Sequence, residues 1–333
     1  MGEGAVRLDQ VSLGVLVAAV SRDVIDAAVE ASGVKDRRSG GKLPAHVVAY
    51  LTMALSLFPE DDYEEVATKV TGSLDRWGCW DAAWTPPTAS GITQGRKRLG
   101  PTVMPLIFES IAEPVATPAT RGAWLRQWRL AAIDGFDVDL PDTPGNAAEF
   151  GYAGSGENRS GFCKARVVAL SECGTHAFLA AEVAGYGVGE KTLARKLYSR
   201  LHADELLTAD RNFYSFTDWT LAVAAGAHLL WRAPTGLALP IVAILEDGTY
   251  LAVLINPANR NQRRRRGIIE RARAGEELDA EEGHLVRVIE YDIPDRDGNG
   301  TSELIVLLST ITTMAAARAD ELATAYHERW GAT

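Results

Sequence analysis

The chain has 333 residues, 47% of them hydrophobic, a formal net charge of −10 and a pI near 5.2. That length and apolar content bury sizeable cores in two or three domains, and the acidic balance weighs against a nucleic-acid partner, while overall charge says little about local basic patches. Three cysteines without a CxxC pair (Cys79, Cys163, Cys173) argue against a disulfide scaffold or a zinc site and for a reducing cytoplasm. The longest apolar stretches, 47–58 and 221–231, fall short of the roughly 18 to 20 residues that span a bilayer, so the expected location is cytoplasmic, with no membrane partner.

Apolar residues recur at helical spacing over 11–20, 24–31, 47–58 and 62–70, and no strand pattern intervenes. Pro86-Pro87-Thr88 then caps a helix over 90–99 that carries Arg96, Lys97 and Arg98 and ends at Gly100-Pro101. Residues 1–125 therefore read as an N-terminal all-helical domain with one basic helix. That helix face either contacts DNA or is simply solvated.

From residue 126 the period changes. Strands are expected over 130–133, 165–170 and 175–183, the last two joined at Glu172-Cys173-Gly174, then a helix over 190–201, a short strand closing at Asp210, a helix over 216–225 and a strand over 228–232. Three strands, a helix, a strand, a helix and a strand give a mixed sheet covered by helices, the order of the ribonuclease H fold. The fold class expected is α+β or α/β, with this core over 126–236.

Residues 237–302 read as a β-rich insertion outside the central sheet, with strands over 241–245, 250–255 and 285–293, and 303–333 as a returning core strand (303–311) and the start of a late helix. Between the insertion's strands, Arg260, Arg263, Arg264, Arg265, Arg266, Arg271 and Arg273 face only Glu270. The run Arg263 to Arg266 either binds phosphates by counterion release or is a solvated loop. Asp295-Arg296-Asp297-Gly298-Asn299-Gly300 imitates a calcium loop, but Val306 stands where a bidentate glutamate is required, so a hairpin turn is expected. The six histidines show no metal spacing.

Asp134 closes the apolar run Leu130-Ala131-Ala132-Ile133, and Asp210 closes Leu206-Leu207-Thr208-Ala209. Two aspartates at adjacent strand ends, with a third acid, hold two hard cations about 4 Å apart and perform phosphodiester chemistry. The plainer alternative is a turn at Asp134-Gly135 and a capping acid at Asp210.

The strings Ala132-Ile133-Asp134-Gly135, Pro141-Asp142-Thr143-Pro144-Gly145-Asn146 with Phe150-Gly151, and Ala209-Asp210-Arg211-Asn212-Phe213-Tyr214-Ser215 resemble the DDE transposases of bacterial insertion elements, more narrowly the insertion-element-four family. Leu43-Pro44-Ala45, Tyr63-Glu64-Glu65-Val66 and the run from Pro87 to Gly100 are similar to its N-terminal domain, and Tyr326-His327-Glu328-Arg329-Trp330 to the start of its C-terminal signature. The resemblance implies a ribonuclease H-like core, Mg²⁺ or Mn²⁺ (two ions in a complete site) held by Asp134 and Asp210, and double-stranded DNA partners, namely terminal inverted repeats and target. It also implies DNA-phosphate contacts from Arg211 and Arg329, and a supporting role for Tyr326 in the signature helix.

In that signature the catalytic glutamate falls at position 333, which is Thr333. Glu328 lies five residues earlier, about 140° around a helix at about 100° per residue, and is expected to face away from the aspartates. The expectation is a transposase cut short before its third acid and inactive as given. The alternatives are a non-catalytic DNA-binding regulator, including an inhibitor that forms mixed dimers with a full-length transposase, and an inactive gene remnant; a homodimer is equally compatible.

Overall fold

A computed structural model describes residues 13–35, 43–75, 86–293 and 303–330. Cys79, Thr333 and the segment 295–300 lie outside these. The chain divides into two units, Met1–Ala112 and Glu113–Thr333.

The first unit is helical throughout its described residues: α1 (Leu13–Ala19), α2 (Arg22–Ser32), α3 (Ala45–Leu57), α4 (Tyr63–Asp75), α5 (Ala89–Leu99) and α6 (Val103–Ile111). Local chemistry sets the ends. Ser21 and Thr88 cap α2 and α5 by accepting from Val24 N and Gly91 N, and Gly33 ends α2 in the left-handed region. Ile92, Gly95 and Leu99 form the buried stripe of α5, and Gly95 lets the helix close on Val48.

The second unit is built on a ten-stranded sheet. In chain order its strands are β1 (Trp124–Leu125), β2 (Trp128–Leu140), β3 (Cys163–Glu172), β4 (Phe178–Gly185), β5 (Glu205–Ala209), β6 (His228–Arg232), β7 (Ile241–Ile244), β8 (Tyr250–Ile255), β9 (Gly283–Ile293) and β10 (Glu303–Ser309). Their spatial order is β4-β3-β2-β5-β6-β10-β9-β8-β7, with β1 paired to β2. β2, β3 and β4 form an antiparallel meander, while β5 and β6 run parallel to β2 on its other side. That topology is the ribonuclease H-like core.

The helices α7 (Pro144–Phe150), α8 (Glu190–Leu197), α9 (Phe216–Ala224), α10 (Gln262–Arg273) and α11 (Ala319–His327) complete the unit. α8 and α9 cover one sheet face, where Leu193, Leu197, Trp219 and Ala222 pack on Ala131, Ile133, Leu207 and Leu229. α11 covers the other, its Leu322, Ala325 and Tyr326 packing on Leu130, Ala132, Leu206 and Leu230. Alternation along β2 and β5 thus feeds both layers, and each fully buried Leu or Ile contributes about 1.5–3 kcal/mol.

Three expectations change. The boundary between units falls at residue 112 rather than 125, because Val115 N and Ala116 N donate to the buried Glu172 carboxylate and β1 joins the sheet. Strands β7 to β9, expected to form an insertion separate from the central sheet, extend that sheet, since β9 pairs with β10 and β10 with β6. The arginine run is neither strand nor loop: it forms the first turns of α10, capped by Asn261, which accepts from Arg263 N and Arg264 N. Ile268 and Ala272 seat that helix on Val253.

Candidate active site

β2 does not stop at Asp134. It continues to Leu140, because beyond Ile133 it keeps its antiparallel partner β3, with Asp137 paired to Arg166 at 3.0 Å and Asp139 to Lys164 at 2.5 Å. The parallel pairing to β5, however, ends at the row Ile133 with Ala209. Asp134 and Asp210 each directly follow that last paired row, Asp134 within β2 and Asp210 just past the end of β5. Asp134 shares the parity of Leu130 and Ala132, so it lies on the face that α11 covers.

α11 and the helical turn after it, Glu328–Trp330, bring further groups to that row. Arg329 Nη2 lies 3.5 Å from Asp134 Oδ2, and Arg329 Nη1 donates to Tyr326 Oη at 3.2 Å. The Arg329 side chain is 1% exposed and that of Asp134 57%. Burial pushes the Tyr326 hydroxyl up, with Arg329 and Arg232 opposing and Asp210 adding to the rise. Tyr326 therefore stands among the charges of Asp210, Arg232 and Arg329. In the same cluster as Tyr326, burial pushes the Cys173 thiol up to about 12, with Arg329 and Glu328 in its field.

The carboxylates are differently engaged. Asp134 Oδ1 accepts from Gly135 N at 2.9 Å, and Asp210 Oδ1 accepts from Asn212 N. Both offer hard oxygen donors, Asp134 exposed and Asp210 half-buried, the donor chemistry that Mg²⁺ and Mn²⁺ favour. Among the described residues, three or more His, Cys, Asp or Glu side chains do not converge on one metal position. Glu328 lines a cavity of about 310 Å³ with Gly122, Leu125, Leu130 and Thr324, and a Cβ on Gly122 would meet its Oε2 at 2.6 Å. Its carboxylate therefore points to Gly122.

The other sequence candidates scatter. Arg211 is exposed directly after Asp210. On α5, Arg96 donates to Tyr63 Oη at 2.7 Å and Arg98 to the Leu43 carbonyl at 3.2 Å, leaving Lys97 as the exposed cation of this trio without such a bond among the described residues. On α10, Arg264 pairs with Glu282 at 2.7 Å and Arg265 donates to the Asn259 carbonyl at 3.3 Å. Arg263 and Arg266 are exposed with no carboxylate partner among the described residues.

Two charged residues escaped the sequence reading. Arg232, at the end of β6, pairs with Glu303 beside the site, and its only signal was its place at a strand end. Arg287, fully buried in β9, pairs with Asp247; nothing in its neighbourhood along the chain marks it.

The sheet topology defines a ribonuclease H-like protein with a helical N-terminal unit. Residues 10–109 match the family of insertion element 4 transposase N-terminal domains. The chain is 26% identical over 198 residues to transposase InsG for insertion sequence element IS4 of Escherichia coli strain K12, covering 58% of this chain and 42% of that protein. Over 177 residues it is 31% identical to a protein of the same strain provisionally designated transposase InsZ, covering 51% of this chain and 57% of that one. The similarity to the family model is confined to the N-terminal residues, and the chain spans about half the length of the curated relatives it matches. A cryo-EM structure of a piggyBac transposase synaptic complex with hairpin DNA aligns with 98% of this chain and 68% of that one, at a TM-score of 0.39 and 10% identity.

Proposed function

We propose that this chain acts in DNA transposition, binding the double-stranded ends of a bacterial insertion element and using Asp134 and Asp210 as metal-holding carboxylates. The reading rests on Asp134 and Asp210 directly following the last paired row, Ile133 with Ala209, of parallel β2 and β5, with Arg329 and Tyr326 near them. Mg²⁺ or Mn²⁺ bound there would activate a water or 3′-hydroxyl and steady the leaving oxygen. The chain's own part is to present two oxygen donors, to hold Arg329 where a phosphate approaches, and to bring backbone phosphates to Arg211 and to the exposed Arg263 and Arg266.

Two carboxylates are a partial donor set, and Glu328 is directed at Gly122. A third acid aimed at the same row is required for both cations, so the 333 residues alone are expected to bind DNA while cleaving it below detection. The test is binding and cleavage of duplexes taken from the flanks of the gene, with Mg²⁺ or Mn²⁺, by wild type and Asp134→Ala. Preferential binding retained in Asp134→Ala supports the reading. Binding without preference over random duplex contradicts it, and cleavage abolished by Asp134→Ala would show that another acid already completes the site.

A further inference from the structure

The segment that leads into α11 is held from two sides. Arg126, in the β1–β2 turn with a left-handed φ of 55°, donates from Nη1 to the carbonyl oxygens of Ala315 and Ala316, both at 2.6 Å, and pairs through Nη2 with Glu321 at 2.8 Å. Arg287, from β9, donates from Nη1 to the carbonyls of Ala317 at 2.6 Å and Thr313 at 3.4 Å. Its Nε donates to Thr249 Oγ1 at 2.9 Å, and its Nη2 to Asp247. Guanidinium groups thus capture four of the five carbonyls from residue 313 to 317.

Arg287 is 0% exposed. A guanidinium in the interior carries a desolvation cost of several kcal/mol unless its donors are engaged, and an apolar side chain would fill the same space without it. What the charge adds is a fixed connection between three segments. It ties the β7–β8 turn, through Asp247 and Thr249, to β9 and to the residues that open α11. Ile289, two residues along β9 on the same face, packs in one cluster with Leu322, Ala325 and Tyr326. Arg287 therefore reaches toward the layer in which α11 lies.

We propose that Arg126 and Arg287 are positioning residues for the carboxylate site. They fix where α11 starts, and through the length of that helix they set the reach of Arg329 to Asp134 and the place of Tyr326 near Asp210. The strands beyond β6 thereby contribute to the site's geometry through Asp247, Thr249 and Arg287. This inference rests on reading Asp134 and Asp210 as the functional pair.

Backbone hydrogen exchange of the full chain tests it with Arg126→Ala, whose parent side chain is 36% exposed, and Asp247→Asn, which leaves the buried arginine in place. Exchange at Leu322, Ala325 and Tyr326 is expected to quicken about tenfold or more, with the amides of Trp219 and Ala222 in α9 unchanged. Arg126→Lys, which keeps a cation and a donor, is expected to restore much of the protection. Unchanged α11 exchange in both variants would overturn the proposal. So would equal acceleration in α11 and α9, which marks a general loss of stability. None of these outcomes depends on a metal, so failure of the carboxylate reading shows separately, as absent Mn²⁺ binding by wild-type protein.

Discussion

Arg329 places a buried guanidinium 3.5 Å from the exposed Asp134 carboxylate while donating to Tyr326 Oη at 3.2 Å. The exposed end of this ion pair is screened by water, so the pair itself contributes little. The hydrogen bond and the packing of the tyrosine matter more. Tyr326→Phe is expected to cost about 1 kcal/mol, the net worth of one hydrogen bond, and Tyr326→Ala about 3–5 kcal/mol through the cavity it leaves. Urea unfolding of both variants checks this, and equal losses would contradict the assigned packing role.

The two carboxylates were legible because each closes an apolar run, and apolar runs ending in acid are local signals. The parity that puts Asp134 on the α11 face follows from the same alternation. What was not legible depends on distant partners. Arg232 meets Glu303, and Glu172 meets Val115 and Ala116, all far apart along the chain. The joining of β10 to β6, which turns an expected insertion into part of the central sheet, also leaves no local mark. α10 was hidden differently: four consecutive arginines lack apolar periodicity, and only the Asn261 cap and the Ile268 and Ala272 pair disclose the helix. The extension of β2 to Leu140 was masked by its aspartates, which β3 answers with Lys164 and Arg166.

DNA binding should separate the arginines of α10. Arg263 and Arg266 are free of carboxylates among the described residues, whereas Arg264 already pairs with Glu282. Removing Arg263 and Arg266 together is expected to reduce the slope of log affinity against log salt by about 0.9 for each DNA phosphate that is no longer neutralised. Arg264→Ala is expected to change it less. A salt series with short duplexes reads both slopes, and an unchanged slope in the double variant assigns this face to solvent.

Acid should loosen the attachment of residues 113–117 to the sheet. Burial alone would raise the Glu172 carboxyl, but bonds from Thr175, Ala116, Arg129 and Val115 outweigh it and hold the group below its ordinary value of 4.5. A depressed carboxyl stabilises the fold above its unfolded value, and that contribution disappears as pH falls through the folded one. Glu172→Gln should therefore be less stable than wild type at neutral pH, and the gap should narrow below about pH 4.5. A gap that stays constant down to about pH 3 would mean that the charge of Glu172 contributes nothing.

The most direct test of the central claim is Mn²⁺ binding, followed by paramagnetic broadening in the wild-type chain and in Asp134→Asn and Asp210→Asn. The account predicts weak binding, with broadening centred on residues 133–135 and 209–212 and lost in either variant. Broadening centred elsewhere, or unchanged in both variants, would contradict it.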